Sequence, residues 1–237
     1  MARAHFAEGT RRLEGALASV AEDGPFTARA LTYLGAIDTV DAGRSATALS
    51  RLEQAVDLRR TLGDEAELAA ARDELGWALY EAGEESRPLG LFQENLELAR
   101  SLGHNALVSR SLAGVCQMLV VTNQFERAEP LARELRASMR DSEDVVYMSA
   151  ADHFLADCAM DRRDYMLAEQ HRLGALETAV TSESVAQQSM EVLGLAMTAA
   201  GLGRDEDALR LEGAVDAKWK ELGLSFTSPF FRRLARA

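Results

Sequence analysis

The sequence predicts an all-α protein that is built from repeated pairs of helices. Alanine, leucine, glutamate and arginine are abundant, whereas the chain has only 4 prolines and 6% aromatic residues, a balance that favours helix over strand. Turn-forming residues and small residues both recur at a constant spacing of 40 positions. Together these observations predict a right-handed α-α superhelix of about five helix pairs, with a half repeat before it and a capping helix after it.

Two series of turn residues define the period. The first series is Gly43, Gly83, Asn123, Arg163 and Gly203. Glycine and asparagine readily adopt the left-handed conformation that ends a helix, so these positions indicate the turn within each pair. The second series, which indicates the turn between pairs, is Gly63, Gly103, Glu143, Glu183 and Gly223. The two glutamates predict looser turns at their positions.

Amphipathic segments lie between these turns. We expect the first helix of each pair, the A helix, at residues 27–42, 65–82, 105–122, 145–162 and 184–202. We expect the second, the B helix, at residues 45–62, 85–102, 125–140, 165–181 and 205–222. A third series is small at every member and predicts where two helices approach closely: Ala36, Gly76, Cys116, Ala156 and Ala196. Pro88 is expected in the first turn of its helix, where no backbone N–H is needed.

The same period divides the chain into units of one repeat domain, residues 1–237. The expected repeats are residues 25–64, 65–104, 105–144, 145–184 and 185–224. Residues 1–24 match the second half of a repeat, so the chain is expected to begin half-way through one. Residues 225–237 break the period and contain several aromatic side chains. They predict a short terminal helix that covers the last repeat.

Charge and cysteine content exclude several classes of function. A net charge of −12 and a pI near 4.9 disfavour binding to nucleic acid and to anionic membranes. The N-terminal residues lack the apolar segment of a secretion signal, and no window approaches the length of a membrane span. Cys116 and Cys158 make no disulfide framework, and we expect them to be structural. These features predict a cytoplasmic protein without a nucleic-acid or membrane partner.

The small-residue pattern resembles that of tetratricopeptide repeats. The segments that carry the resemblance are DELGWALYEAGE and NQFERAEPLARE. Leu75-Gly76 and Tyr80 follow the Leu-Gly and Tyr elements with one extra residue between them, and Phe125 with Ala128 resembles the lead into helix B. The usual period is about 34 residues, and a longer one would also suit HEAT or armadillo repeats. The small-residue pattern favours the tetratricopeptide type.

A narrower resemblance comes from the phrases LRRTLGD, LARSLGH and RLEGAVDAKWKELG. They look like the C-terminal arrays of large bacterial ATPase-coupled transcription regulators of the MalT, LuxR-type and AfsR-like groups. In those regulators the array is the sensory or interaction part, and other domains bind ATP and DNA. The resemblance implies a non-catalytic scaffold without a cofactor, whose partner is a protein, a peptide or a small effector.

In tetratricopeptide arrays the A helices line a concave groove, so the resemblance also implies a binding face. Residues three before, one after and four after the small crossing position are expected to face the groove. The candidates for partner binding are Tyr33, Asp73, Trp77, Tyr80, Arg110, Gln117, His153, Asp157, Met160 and Met197. The lysine and asparagine with which some of these domains clamp a carboxylate are missing from the comparable places, so that clamp is not expected.

Two alternatives to the partner-binding scaffold remain open. The first is self-association into a homodimer, in which the unpaired first helix and the aromatic tail complete the array of another copy. The second is an enzyme that uses His153 and Asp157, because their i, i+4 spacing places an imidazole and a carboxylate on one helix face. A second histidine is missing from that face, so no metal site is expected.

Overall fold

The computed structural model describes residues 2–20, 23–39, 42–139 and 145–222. Within these ranges the chain forms eleven α-helices and one 3₁₀ segment, Ala42–Arg44, and no β-strand. The helices are α1 (Ala2–Ser19), α2 (Pro25–Thr39), α3 (Ser45–Leu62), α4 (Glu65–Glu81), α5 (Ser86–Ser101), α6 (Asn105–Val121), α7 (Phe125–Ser138), α8 (Val145–Asp161), α9 (Tyr165–Thr181), α10 (Val185–Gly201) and α11 (Asp205–Leu222). The all-α prediction is confirmed.

Helix α1 precedes the first pair, and the other ten helices are the expected A and B helices. Their ends agree with the sequence-based ranges to within three residues. The A helices are α2, α4, α6, α8 and α10, and the B helices are α3, α5, α7, α9 and α11. The chain divides into two compact units, of which the first runs to Gly114 and the second begins at Val115. The expected cap at residues 225–237 lies outside the described residues.

Seven of the described turns are closed by one residue in the left-handed conformation. In the first turn series φ is positive at Gly83 (91°), Asn123 (56°), Arg163 (59°) and Gly203 (73°). In the second series it is positive at Gly63 (75°), Gly103 (63°) and Glu183 (55°). The prediction therefore holds at four members of the first series. Gly43 is different, because it lies in the short 3₁₀ segment.

The expectation of a looser turn at Glu183 is wrong. The Glu183 N–H donates to Val180 O at 3.1 Å, and the Ser184 N–H donates to Ala179 O at 3.3 Å. Gly103 and the residue after it make the same pair of hydrogen bonds at the end of α5. A charged residue therefore closes this turn in the geometry that glycine adopts elsewhere. Glu143 and Gly223 lie outside the described residues.

Close packing between A and B helices depends on glycine. Phe92 of α5 is completely buried, and a Cβ on Gly76 of α4 would lie 2.7 Å from its ring. A Cβ on Gly114 of α6 would lie 2.5 Å from the same ring. In the first repeat Gly35, the residue before the expected Ala36, packs on Leu52. The substitution of any of these glycines would push a helix away from its neighbour.

One detail of a helix terminus refines the sequence-based expectation. Pro88 is the third residue of α5, inside the first turn as predicted, although the helix is preceded by Glu85 and starts at Ser86.

Among the described helices, none combines the length and the apolar character that a membrane crossing needs.

The charged residues at left-handed positions provide a test of this turn geometry. Arg163→Gly and Glu183→Gly should each raise the free energy of unfolding by about 0.5–1 kcal/mol, because glycine takes a positive φ without the strain of a β-carbon. Gly83→Ala, at the turn position equivalent to Arg163, should lower it by about 1 kcal/mol. Urea unfolding of the purified variants measures all three values. Destabilisation in both glycine variants would contradict the assigned turns.

Candidate functional site

The structure separates the candidate residues by their exposure. Asp73 and His153, each three residues before a crossing position, are only 1% and 9% exposed. Tyr33, at the same position of the first A helix, is 57% exposed, and Met197 is 49% exposed. The remaining candidates are half-buried: Trp77, Tyr80, Arg110, Gln117, Asp157 and Met160. The positions one and four residues after the crossing therefore reach solvent, whereas Asp73 and His153 lie between helices.

In the first unit, an aromatic group forms around Trp77 of α4. Its ring centroid lies 6.1 Å from that of Tyr80 in an edge-to-face arrangement and 5.3 Å from that of the buried Phe92. Such ring pairs stabilise a fold beyond the area that they bury. Trp77 is thus both a partly exposed side chain of an A helix and a part of the packing between α4 and α5.

Arg110 joins two successive A helices of the first unit. Its guanidinium on α6 binds the carboxylates of Asp73 and Glu74 on α4. Burial raises the pKa of Asp73 above its ordinary value, although the charge of Arg110 opposes this shift. Asp73 and Arg110 are therefore structural partners of one another.

In the second unit, the structure brings His153 and Asp157 together as the sequence suggests, and it adds two further residues. The His153 Nε2 atom lies 3.5 Å from Asp157 Oδ2. Arg172 of α9 binds Asp157 on α8 and donates from Nη1 to Glu191 Oε2 on α10 at 3.0 Å. We call these four residues the Arg172 cluster: His153, Asp157, Arg172 and Glu191. It links three consecutive helices.

The imidazole of His153 is shared between a cation and an anion. Its Nδ1 atom lies 2.6 Å from Glu191 Oε1 and also 2.6 Å from Arg172 Nη1. A ring nitrogen can donate to Glu191 or accept from Arg172, but it cannot do both at once. Arg172 also has the carboxylates of Asp157 and Glu191 as partners. A proton on Nδ1 that is donated to Glu191 therefore leaves more of these polar groups with a hydrogen-bond partner.

Burial and charge act in opposite directions on the pKa values of this cluster. Burial alone would raise the pKa of Glu191, but His153 and Arg172 lower it by more, so it lies below the ordinary value. Burial alone would lower the pKa of Arg172, but Asp157 and Glu191 raise it by more. Both groups are therefore held in their charged forms inside the helix array.

Sequence reasoning missed Arg172 and Glu191, although the period contains a signal for both. One, two and three periods before Arg172 stand Ala132, Phe92 and Leu52. These three B-helix positions are completely buried. The same steps before Glu191 reach Ala151, Ser111 and Ala71, which are buried as well. A charged residue at a position that is otherwise small or apolar predicts a buried polar contact.

Gly194 makes room for the guanidinium. A Cβ on Gly194 of α10 would clash with Nε and Cδ of Arg172, whose side chain is almost completely buried. The arrangement binds two carboxylates to one guanidinium and places a histidine between the two carboxylates. Among the residues that the structure describes, no group of His, Cys, Asp and Glu side chains is arranged to hold a metal ion.

Comparison with known proteins gives the fold. No protein-family model matches the chain, and no curated protein matches its sequence. BtubC (BKLC) from P. vanneervenii is a solved structure that is similar, with a TM-score of 0.70, 14% identity and coverage of 94% of this chain and 93% of that one. The fold is a tetratricopeptide-like helical repeat.

Two other solved structures share this tetratricopeptide-like fold. A Rap protein complexed with Competence and Sporulation Factor has a TM-score of 0.71 and 14% identity, over 89% of this chain and 59% of that one. A signal-transduction ATPase with numerous domains and a tetratricopeptide-repeat sensor, from Pyrococcus horikoshii, has a TM-score of 0.67 and 14% identity, over 83% of this chain and 30% of that one.

The glycine beside the Arg172 cluster can be tested directly. Gly194→Ala should lower the free energy of unfolding by about 3–5 kcal/mol, because the new methyl group displaces Arg172 from its buried carboxylate partners. Gly213→Ala in α11 is the matched control, since its Cβ would meet nothing within 4 Å. The control should raise stability by about 0.5–1 kcal/mol.

Thermal or urea unfolding of both alanine variants makes this comparison. Adding Arg172→Ala to Gly194→Ala should recover part of the loss, because the side chain that clashes is then absent. Equal stability of Gly194→Ala and the wild type would contradict the packing of Arg172 on Gly194.

The lowered pKa of Glu191 predicts a dependence of stability on pH. A carboxyl group whose pKa is lower in the folded state stabilises the fold above its unfolded value, near 4.5, and this contribution is lost as the pH falls below that value. Glu191→Gln should therefore flatten the acid limb of the curve of unfolding free energy against pH. Glu97→Gln, a surface change on α5, is the control. An unchanged acid limb in Glu191→Gln would contradict the role of this carboxylate.

Proposed function

We propose that this chain is a non-catalytic scaffold whose A-helix face binds a protein or peptide partner, and that it is the sensory or interaction region of a bacterial transcription regulator in the cytoplasm. A small effector is the alternative ligand of the same face. The observation that carries the proposal is that the side chains one and four residues after the crossing position reach solvent, at least in part, on successive A helices.

The side chains one and four residues after the crossing position differ in chemistry between the two units. In the first unit they include Trp77 and Tyr80, with Tyr33 exposed on the preceding A helix. Aromatic side chains of this kind are frequent energetic centres of protein interfaces.

In the second unit the corresponding surface is rich in methionine. Met160 is half-buried on α8 and Met197 is exposed on α10, and the Thr198 hydroxyl donates to the Met160 sulfur at 3.4 Å. Flexible thioether side chains adapt to apolar partners of varied shape. Asp157, three residues before Met160 on α8, adds a polar group to this surface, and Gln117 is half-buried on α6. The combination suits an amphipathic helix or an extended peptide with apolar anchors.

The comparisons support this proposal at the level of the fold. One structure with the same fold is a Rap protein in complex with Competence and Sporulation Factor. Another belongs to a signal-transduction ATPase with a tetratricopeptide-repeat sensor. Partner binding and sensing are therefore compatible with this architecture. The regulator part of the proposal rests on the Leu-Gly-Asp phrases, and the coding sequence upstream of Met1 tests it through the presence of ATPase and DNA-binding regions.

Selection from a random dodecapeptide display library tests the binding function. We expect enriched peptides with apolar anchors, whose affinity falls at least tenfold with Met197→Glu, because the change places a charge on the exposed thioether surface. Leu209→Glu on α11 is the matched control, since Leu209 is also exposed, at 69%, but lies on a B helix. This variant should change affinity less than twofold.

Fluorescence anisotropy with the selected peptides measures these affinities. A library that yields no binder, or binders that are insensitive to Met197→Glu and to Tyr33→Ser, would overturn the proposal. Binders lost with Leu209→Glu alone would move the site to the B-helix side.

A further inference from the structure

The outward side of α9 carries an apolar stripe that the proposed function does not use. Met166, Leu173 and Val180 are 66%, 53% and 57% exposed. Their spacing of seven residues places them in one line along the helix, over about 21 Å. We call these three residues the α9 stripe. Since α9 is a B helix, the stripe is separate from the A-helix face.

Among the five B helices of the pairs, only α9 carries this apolar line, although one further step reaches the apolar Phe6, Leu13 and Val20 near the unpaired α1. Steps of 40 residues from its members reach positions on α3, α5, α7 and α11, and the residues there are polar, charged or small. They are Ala46, Glu53 and Arg60; Ser86, Gln93 and Arg100; Glu126 and Arg133; and Glu206, Gly213 and Lys220. The third position after α7, Arg140, lies outside the described residues. Four of the five B helices therefore present a hydrophilic outer line. An exposed apolar line on only one of them indicates a contact with another macromolecule.

The two ends of α9 show a second departure from the repeat. Arg163 precedes the helix and Glu183 follows it, and both are exposed and have a positive φ. Glycine occupies the equivalent positions at Gly83 and Gly103. Charged residues thus stand where the backbone favours glycine, which points to a role outside the turn itself. Within the part of the chain that the structure describes, neither charge is neutralised by an ion pair.

These five residues form a pattern that is symmetric about Leu173. Met166 and Val180 stand seven residues on either side of it, and Arg163 and Glu183 stand ten residues on either side. The charges at the two ends are opposite, and the three residues between them are apolar. A surface with this pattern is complementary to itself when two copies meet in antiparallel orientation.

We propose that the α9 stripe is a homodimer interface in which two copies of this chain pair α9 against α9 about a two-fold axis at Leu173. Met166 then contacts the partner's Val180, and Arg163 lies opposite the partner's Glu183. The same ion pair forms twice, once at each end. Glu177 faces the partner's Glu169, whose charge is already compensated by Arg204 of the same chain.

One helix pair gives a small interface. It buries less than the roughly 1,200–2,000 Å² that is usual for stable complexes, so the dimer is expected to be weak, with a dissociation constant of about 10–500 μM. The inference does not depend on partner binding at the A-helix face. Because the A-helix face and the α9 stripe lie on different helices, an experiment can reject either proposal without rejecting the other.

Sedimentation of the purified chain from about 5 μM to about 1 mM tests the interface. The average mass should rise with concentration from 25.8 kDa towards twice this value. Leu173→Glu should hold the mass at that of the monomer over the whole range, while urea unfolding shows that the exposed change leaves the fold intact. Leu209→Glu on α11 is the matched control and should associate like the wild type.

A charge exchange tests the antiparallel register. Arg163→Glu and Glu183→Arg should each weaken association about five- to twentyfold, because each places two pairs of like charges in the dimer. The double variant restores opposite charges, and its dissociation constant should return to within about twofold of the wild-type value. Arg163→Gly should weaken association although it stabilises the fold, a result that a purely structural role of Arg163 does not produce.

Three results would overturn the inference. A wild-type chain that stays monomeric at the highest concentration would leave the stripe to a different partner. Association that persists in Leu173→Glu would place the interface elsewhere, for example at the ends of the helix array. A double charge variant that is weaker than either single variant would reject the antiparallel register.

Discussion

The close contact between a large side chain on one helix and small residues on its neighbours is the constraint on which the rest of the structure depends. Phe92 fits between Gly76 and Gly114, and Leu52 fits against Gly35. Because a β-carbon at these glycines would clash with the side chain that packs there, helix spacing is set by pairs of large and small residues. One period after Phe92 and Gly114 the chain has Ala132 and Phe154, so that the large and the small residue are exchanged.

The Arg172 cluster follows from the same constraint. Arg172 occupies the position of Leu52 and Phe92, and Gly194 provides the space for its guanidinium. Buried ion pairs of this kind seldom stabilise a protein more than well-packed apolar residues would. Their effect here is to join α8, α9 and α10 through directional bonds and to place Asp157 beside the methionine-rich surface. A partner on that surface would lie next to a charge whose position is fixed by the core.

Helix positions could be predicted from the sequence because they depend on local signals. Turn residues at a period of 40 mark where each helix ends, and helix α9 began and ended at the predicted residues. The buried contacts could not be predicted in the same way. Arg172 is 15 residues from Asp157 and 19 residues from Glu191, and only the packing of three helices brings the three side chains together. Likewise, a candidate such as Asp73 faced Arg110 between two helices, although the repeat pattern assigned it to an open face.

The sequence by itself determined the all-α class, the repeat length and the turns, since φ preferences and amphipathic spacing act within a few residues. Only the tertiary structure decided which side chains are exposed, because exposure depends on which helices cover them. It buried His153 in the Arg172 cluster and left Met197 at the surface of the adjacent A helix. It also left Met166, Leu173 and Val180 uncovered on α9. The periodic pattern had marked that helix only as an ordinary B helix.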